Sequence, residues 1–343
     1  MIRTLGLAYG RAATWRRQWY ARDPSRQRHL SRPVISVGNL RVGGSGKTPV
    51  VAHIAKLLVE AGERPAILTR GYGRRTPSAG TTVVSDGTHV LEGIDTAGDE
   101  PLLLARALPD VPVLVGSDRY LSGLFAETRF GITVHLLDDG FQHFELARDV
   151  DLLLVGEDEL VDSPMPAGHL REPIDAAAAA DAVLVSAGYA TAADRIARVL
   201  RVPVAFRVTR ALGVPRRIAG AHDTVVVPSG SRVFVVAAIA RPERFVADII
   251  STGWDVVETM MFRDHHLFSD ADIARIAARA RAVRSAIVLT TEKDAVRFEP
   301  RELGELPIAS VPLIVGIEPE DAFREWLLSR VHANHQPQVT NHQ

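Results

Sequence analysis

Short apolar runs alternate with stretches of helical periodicity along most of this 343-residue chain. Val34-Ile35-Ser36-Val37 has the length and β-branched content of a buried strand. Between Lys47 and Ala61, the residues Val50, Val51, Ile54, Leu57 and Leu58 fall on one helical face, and Gly62 marks the stop. Pro49 is tolerated because it lies in the first turn. Further strands are predicted at 65–69, 111–115, 133–137, 150–155, 182–186 and 203–209, with helices between most of them. This alternation predicts an α/β fold built on a doubly wound, mostly parallel sheet. A second, smaller α/β stretch follows, with strands at 233–239, 254–259 and 286–290 and helices at 241–252 and 269–283. Ser269, with Asp272 three residues on, caps the last of these. Gly213, Pro215, Gly220, Pro228 and Gly230 punctuate the join, so 205–232 reads as a β-rich hinge. The expected organisation is a basic amphipathic helix (1–28), a first domain (29–204), the hinge (205–232), a second domain (233–331) and a polar, disordered tail (332–343).

With 46% hydrophobic and 24% charged residues, the composition is that of a globular protein with a full core. The formal net charge of -1 gives no global field for nucleic acid. The absence of cysteine removes disulfides, thiolate metal sites and cysteine nucleophiles together. The N-terminus departs from this balance. Arg3, Arg11, Arg16, Arg17, Arg22, Arg26, Arg28, Arg32 and Arg41 face one acid, Asp23, with Leu5, Leu7, Tyr9, Trp15, Trp19 and Tyr20 interleaved. No apolar run there approaches the roughly 20 residues that span a bilayer. Such a helix suits an anionic membrane surface, or packs on its domain with a solvated arginine face.

Residues 38–48, Gly-Asn-Leu-Arg-Val-Gly-Gly-Ser-Gly-Lys-Thr, follow a predicted strand and open a predicted helix. That context and the glycines at 43, 44 and 46 predict a nucleotide-phosphate cradle of Gly43, Gly44, Ser45, Gly46, Lys47, Thr48 and Pro49. Lys47 can reach the β- and γ-phosphates, and Thr48 can ligate Mg²⁺. The usual spacing places glycine six positions before the lysine, where this chain has Arg41. The alternative is a glycine-rich turn with no ligand. Partition and cell-division ATPases carry a signature lysine where this chain has Val42, which argues against that class. Three readings stay open: a lipid or sugar kinase, a soluble small-molecule kinase, and a regulatory nucleotide switch.

An apolar run, Val134 to Leu137, ends in Asp138-Asp139-Gly140-Phe141-Gln142-His143. A carboxylate at the end of a parallel strand beside the cradle is placed to hold Mg²⁺. Adjacent strand residues point to opposite faces, so one of Asp138 and Asp139 serves the metal and the other a neighbouring group. Asp99, in Gly98-Asp99-Glu100-Pro101, alone reads as a helix cap. Asp264-His265-His266 suggests zinc, but no third ligand motif accompanies it; a His–Asp pair is also a base for a hydroxyl. Arg70-Gly71-Tyr72-Gly73-Arg74-Arg75 is a short basic loop suited to a phosphate or headgroup, or a plain turn. Residues 166–173 and Thr291-Glu292-Lys293-Asp294 are two further loops that alone read as capped turns.

Together these segments resemble the tetraacyldisaccharide 4'-kinase family over about residues 15–328. The resemblance is carried by Val37 to Leu40, Gly43 to Pro49, Arg70 to Gly73, Gly98 to Pro101, Asp138 to His143, Leu146 to Asp149, Pro166 to Gly168, Arg171-Glu172, Asp264-His265 and Thr291 to Val296. It implies a P-loop kinase-like fold and transfer of the γ-phosphate of ATP, with Mg²⁺, to the 4'-hydroxyl of an acylated glucosamine disaccharide 1-phosphate. It implies that Lys47 steadies the β/γ-phosphates, that Thr48, Asp138 and Asp139 serve the metal, and that Asp99 with His265 forms a dyad activating the hydroxyl. Arg70, Tyr72, Arg119, Gln142, His143, Arg171 and Glu172 are the implied substrate-side residues. The missing glycine at Arg41 is a trait of the same family. The basic N-terminal helix then becomes a peripheral anchor on the cytoplasmic face of the inner membrane, held by anionic lipids. No nucleic acid and no obligate protein partner is expected.

Overall fold

The computed structural model describes residues 1–343 except 45, 77–79, 187–189, 219–222, 299–306 and 334–343. A long helix α1 (Ile2–Ala21) opens the chain, followed by β1 (Val34–Asn39), α2 (Lys47–Glu60), β2 (Pro65–Thr69) and β3 (Thr82–Asp86). Next come α3 (Ile94–Ala97), α4 (Asp99–Ala107), β4 (Pro112–Val115), α5 (Arg119–Phe130), β5 (Val134–Asp138) and β6 (Val150–Gly156). The middle holds β7 (Ala182–Ser186), α6 (Ala190–Leu200), β8 (Val204–Leu212) and β9 (Arg216–Arg217). It is followed by β10 (Arg232–Ala237), α7 (Pro242–Ser251), β11 (Asp255–Met261) and α8 (Asp270–Ala282). The last elements are β12 (Ile287–Thr291), α9 (Glu292–Phe298), β13 (Ile308–Val311), β14 (Leu313–Glu318) and α10 (Glu320–Ala333).

Nine strands form the large sheet in the order β14-β8-β7-β6-β1-β5-β2-β4-β3. Its interior pairings are parallel, and the two edge strands, β14 and β3, run antiparallel to their neighbours. β1 is buried throughout, as its unbroken apolar run requires. It lies between β5 and β6, so the chain leaves it toward one side of the sheet and later crosses back to the other. A crevice opens beyond the carboxyl end of a strand at such a point. Helix α2 packs Val50, Val51, Ile54, Leu57 and Leu58 into the core on one face of this sheet. The small sheet has the order β11-β10-β12-β13-β9 and a core on each face, centred on Phe268 and Phe298 on one side and Phe245 and Ile249 on the other.

The structure moves the boundaries expected from sequence. The segment 205–232 is no free linker: β8 lies inside the large sheet between β7 and β14, and β9 pairs with β13 of the small one. The second domain does not run to 331, because β14 and α10 return to the large sheet and bury Ile317, Phe323, Leu327 and Val331 in its core. Two segments therefore join the sheets, one on each side of the small unit. Residues Ile174–Ala179 form a single 3₁₀ segment. The expected tail lies outside the described residues beyond 333, and residues 332 and 333 still belong to α10.

Removing a large buried side chain leaves a cavity that the surrounding core fills only in part. Ile317→Ala should therefore destabilise the large sheet by about 2–5 kcal/mol in urea unfolding. An effect below about 0.5 kcal/mol, the range of surface substitutions, would show that the returning strand is peripheral.

Candidate active site

The carboxyl ends of the two sheets face each other across a cleft of about 600 Å³. From the large sheet it is lined by Gly43, Gly44, Gly46, Lys47, Thr48 and Pro49 after β1, by Arg70 and Tyr72 after β2, and by Asp138 and Asp139 at the end of β5. From the small sheet come Ala240 and Arg241 after β10, Asp264 and His265 after β11, and Lys293 after β12. Ser45 lies outside the described residues.

The cradle needs glycine for two separate reasons. Gly43 and Gly46 take positive φ, +99° and +80°, and Gly46 is the N-cap of α2. At Gly38 the constraint is space, since a Cβ would lie 2.4 Å from that of Phe141. Lys47 Nζ donates to Asn39 Oδ1 at 2.9 Å and lies 3.3 Å from Asp139 Oδ1. Asp139 also accepts from Arg171 Nη1 at 2.7 and 2.9 Å. Burial raises the proton affinity of Asp139, but the Lys47 and Arg171 charges outweigh it and keep the group ionised. Asp138, the last residue of β5, lines the same cleft and is itself almost wholly buried. Thr69 Oγ1 reaches its Oδ2 at 3.5 Å, and its buried Oδ1 has no hydrogen-bond partner among the described residues. Burial, with the Glu100 and Asp139 charges added, pushes Asp138 up to about 7.

At the opposite end, Asp99 is the first residue of α4, and Gly98 is the cap position. Its Oδ1 accepts the Glu100 backbone N–H at 2.9 Å. Its Oδ2 lies 2.9 Å from His265 Nδ1 and accepts from Arg297 Nη2. Asp99 is 5% exposed. Burial there raises its proton affinity, yet the His265 hydrogen bond and the Lys293 and Arg297 charges hold the carboxyl well below its usual range. Lys293 Nζ donates to Glu100 Oε1 at 2.8 Å. His266 turns away, stacking on Phe262 with its Nε2 3.1 Å from Asp272 Oδ2. Asp139 and His265 both hold a left-handed backbone, at φ +58° and +61°, a conformation that non-glycine residues adopt only when their surroundings fix it.

Not every expected residue reaches the cleft. Arg70, Tyr72 and Arg171 line it, whereas Arg119, Gln142, His143 and Glu172 do not. Gln142 lies behind the cradle, donating from Nε2 to Asn39 O at 3.0 Å. His143 is buried and pushed down to about 3, first by burial and then by the charges of Arg119, Arg148 and Arg70. Arg119 is also buried, donates to Ser117 O, and is pushed down to about 10 by burial and Arg70. Glu172 faces α1 and takes a two-pronged ion pair from Arg17, at 2.7 and 2.8 Å. Sequence reasoning passed over Asn39, Arg17 and Arg297. The signal for Arg297 was its place three residues after Asp294, where a helix brings the two together.

A family model for tetraacyldisaccharide-1-P 4'-kinase matches residues 1–332. The chain belongs to this kinase family. A tetraacyldisaccharide 4'-kinase of Syntrophus aciditrophicus is 35% identical over 344 aligned positions, covering 96% of this chain and 92% of that protein. One of Geobacter metallireducens is 38% identical, covering 88% of each. A crystal structure of LpxK from Aquifex aeolicus in complex with ATP matches with a TM-score of 0.75 at 29% identity, over 96% of this chain and 98% of that one. The activity is therefore that of the kinase family, ATP-dependent 4'-phosphorylation of the lipid A disaccharide precursor.

Mg²⁺ suits the residues present, because it is held by one or two carboxylates together with substrate phosphates and water, not by a complete protein cage. Thr48 and the unpartnered Oδ1 of Asp138 supply hard oxygen at the mouth of the cradle. With its carboxyl raised to about 7, Asp138 would have to lose its proton to hold the ion. Binding of Mg²⁺ with a non-hydrolysable ATP analogue at pH 6.5 should thus release about half a proton or more, read by calorimetry in buffers of different ionisation enthalpy. Asp138→Asn should abolish that release. Unchanged release in the variant would remove Asp138 from the metal site.

Proposed function

We propose that the cradle after β1 holds ATP, that the Asp99–His265 pair activates the 4'-hydroxyl of tetraacyldisaccharide 1-phosphate, and that the reaction proceeds by direct transfer of the γ-phosphoryl group. The observation that carries this reading is the convergence on one cleft of a phosphate cradle from the large sheet and a histidine–carboxylate pair spanning both sheets. Mg²⁺, when bound, neutralises charge on the transferring phosphates. Lys47 steadies the β- and γ-phosphates, and Asp139 with Asn39 aims its ammonium. Arg171 keeps Asp139 ionised and in place. Arg70 and Tyr72, hydrogen-bonded to each other at 3.0 Å, occupy the rim on the acceptor side. The two connections at β8–β10 and β13–β14 form the hinge about which the sheets close and exclude water.

The N-terminal helix supplies the contact with the lipid surface in this reading. No helix among the described residues is long and apolar enough to cross a membrane. Helix α1 instead exposes Ile2, Leu5, Leu7, Tyr9, Trp15 and Trp19, carries arginines and no acid, and is anchored by Arg17 on Glu172. Exposed apolar and aromatic groups with clustered arginine suit a peripheral seat on anionic headgroups at the cytoplasmic face of the inner membrane.

Two measurements test these assignments. With γ-labelled ATP and the disaccharide lipid, His265→Ala should lower kcat by about 10²–10⁴-fold, the usual contribution of a general base. A variant within a few-fold of wild type would remove His265 from the chemistry. Replacing exposed Leu7 and Trp15 together by Ser should weaken co-sedimentation with anionic vesicles by about tenfold or more. Undiminished sedimentation would place the membrane contact elsewhere.

A further inference from the structure

Arg297 is 3% exposed and tied at three points. Its Nη1 donates to Asp294 Oδ1 at 2.8 Å and to Ala238 O at 3.0 Å, both within the small-sheet unit. Asp294 is itself fixed, accepting from the Ala238 backbone N–H at 3.0 Å and from Thr291 Oγ1 at 2.8 Å. The other terminal nitrogen, Nη2, donates across the interface to Asp99 Oδ2 and lies 3.3 Å from His265 Nδ1. The guanidinium fork therefore ties the segment after β10, through Ala238, to α4, through Asp99, beside the His265 ring.

We propose that Arg297 is a positioning residue for the acceptor end of the reaction: held by the small-sheet unit, it fixes the Asp99 carboxylate across the interface and, through it, the orientation of His265. This inference rests on the Asp99–His265 reading given above. Both oxygens of Asp99 are engaged, Oδ1 by the Glu100 amide and Oδ2 by Arg297 and His265, and the residue is almost wholly buried. Asp99 is not among the residues that line the cleft, so an incoming sugar hydroxyl meets His265 first. The His265 side chain is 41% exposed and lines the cleft. With Nδ1–H directed at Asp99, Nε2 carries the available lone pair. The 4'-O–H bond breaks as its proton passes to Nε2, the oxygen forms a bond to Pγ, and the bond from Pγ to the bridging oxygen of ADP breaks. The charged groups around the pair are Arg297, Lys293 and Asp294 from the small unit, Asp264 with its Oδ2 3.7 Å from His265 Nε2, and Glu100 from α4. Of these, Arg297 is the one that bonds both the small sheet and Asp99.

The test is steady-state kinetics of the full-length enzyme between pH 5.5 and 9 with MgATP and the disaccharide lipid. Arg297→Gln should lower kcat by 10- to 100-fold and leave the KM for MgATP within threefold. It should also move the acid limb of the kcat profile to higher pH, because removing a cation strengthens proton binding by the pair. Arg297→Lys restores the charge without the fork. Its acid limb should stay at the wild-type position while kcat falls at least fivefold. Wild-type kcat in either variant, or loss in Arg297→Gln with an unmoved limb, would overturn the proposal. Arg297→Lys keeps it testable if Arg297→Gln fails to fold. His265→Ala, run in parallel, separates the two layers. Full activity there defeats the dyad itself, whereas an inactive His265→Ala beside a normal Arg297→Gln defeats only the role of Arg297.

Discussion

Two sheets that present their carboxyl ends to each other must bury or solvate the polar groups at the seam, and here the seam is closed by a cluster of charges. Asp99 from α4 meets Arg297 and Lys293 from α9 and His265 from the loop after β11. A buried ion cluster is stabilising only when every member is partnered, since removing one leaves an uncompensated charge out of water. Each side of this cluster belongs to a different sheet, so its completion fixes their relative placement. The chain reinforces the same register covalently. It crosses between the sheets after β8 and again before β14, and the returning strand and helix bury Ile317, Phe323 and Leu327 in the large core.

From this constraint follows the division of labour within the cleft. In the proposed reaction the large sheet holds the phosphate end, because a topological switch at β1 opens space above the cradle and β5 delivers Asp138 and Asp139 beside it. The small sheet completes the acceptor end of that reaction with His265. A line of ion pairs, Arg17–Glu172 and Arg171–Asp139–Lys47, runs from α1 to the cradle through the adjacent residues Arg171 and Glu172. The helix proposed to meet the lipid surface is thereby built onto the segment that holds Asp139 against Lys47. Electrostatic placement of this kind is most of what phosphoryl transfer asks of a protein.

Much of this was legible in the sequence because it rests on local rules. The strand, glycine-rich loop and helix over 34–60 fall where the apolar run, the glycines and the helical periodicity place them. Ser269 and Asp272 form the capping box that their spacing predicts. The strands at 65–69 and 182–186 fall where the apolar runs lie. The failures are non-local. Nothing in the run 313–318 says that it will leave its neighbours and pair antiparallel with β8, because its pattern suits either sheet. β3 and β13 were likewise not among the strands predicted from the sequence. Glu172 was expected to face substrate and instead faces Arg17, a partner 155 residues away that no spacing rule connects to it. Arg297 reads as an ordinary helix residue until the fold brings Asp99 to it across 198 positions.

The central claim is that Asp99 and His265 act as one unit across the seam between the sheets. A double-mutant cycle on the single-turnover transfer rate addresses it directly, using Asp99→Asn, His265→Ala and the two combined, with enzyme in excess over the lipid. Groups that act as a unit are strongly non-additive. The combined variant should be no slower than the slower single variant, within about threefold. If instead the two losses multiply in the combined variant, the residues contribute independently and the account of a cross-sheet dyad is wrong.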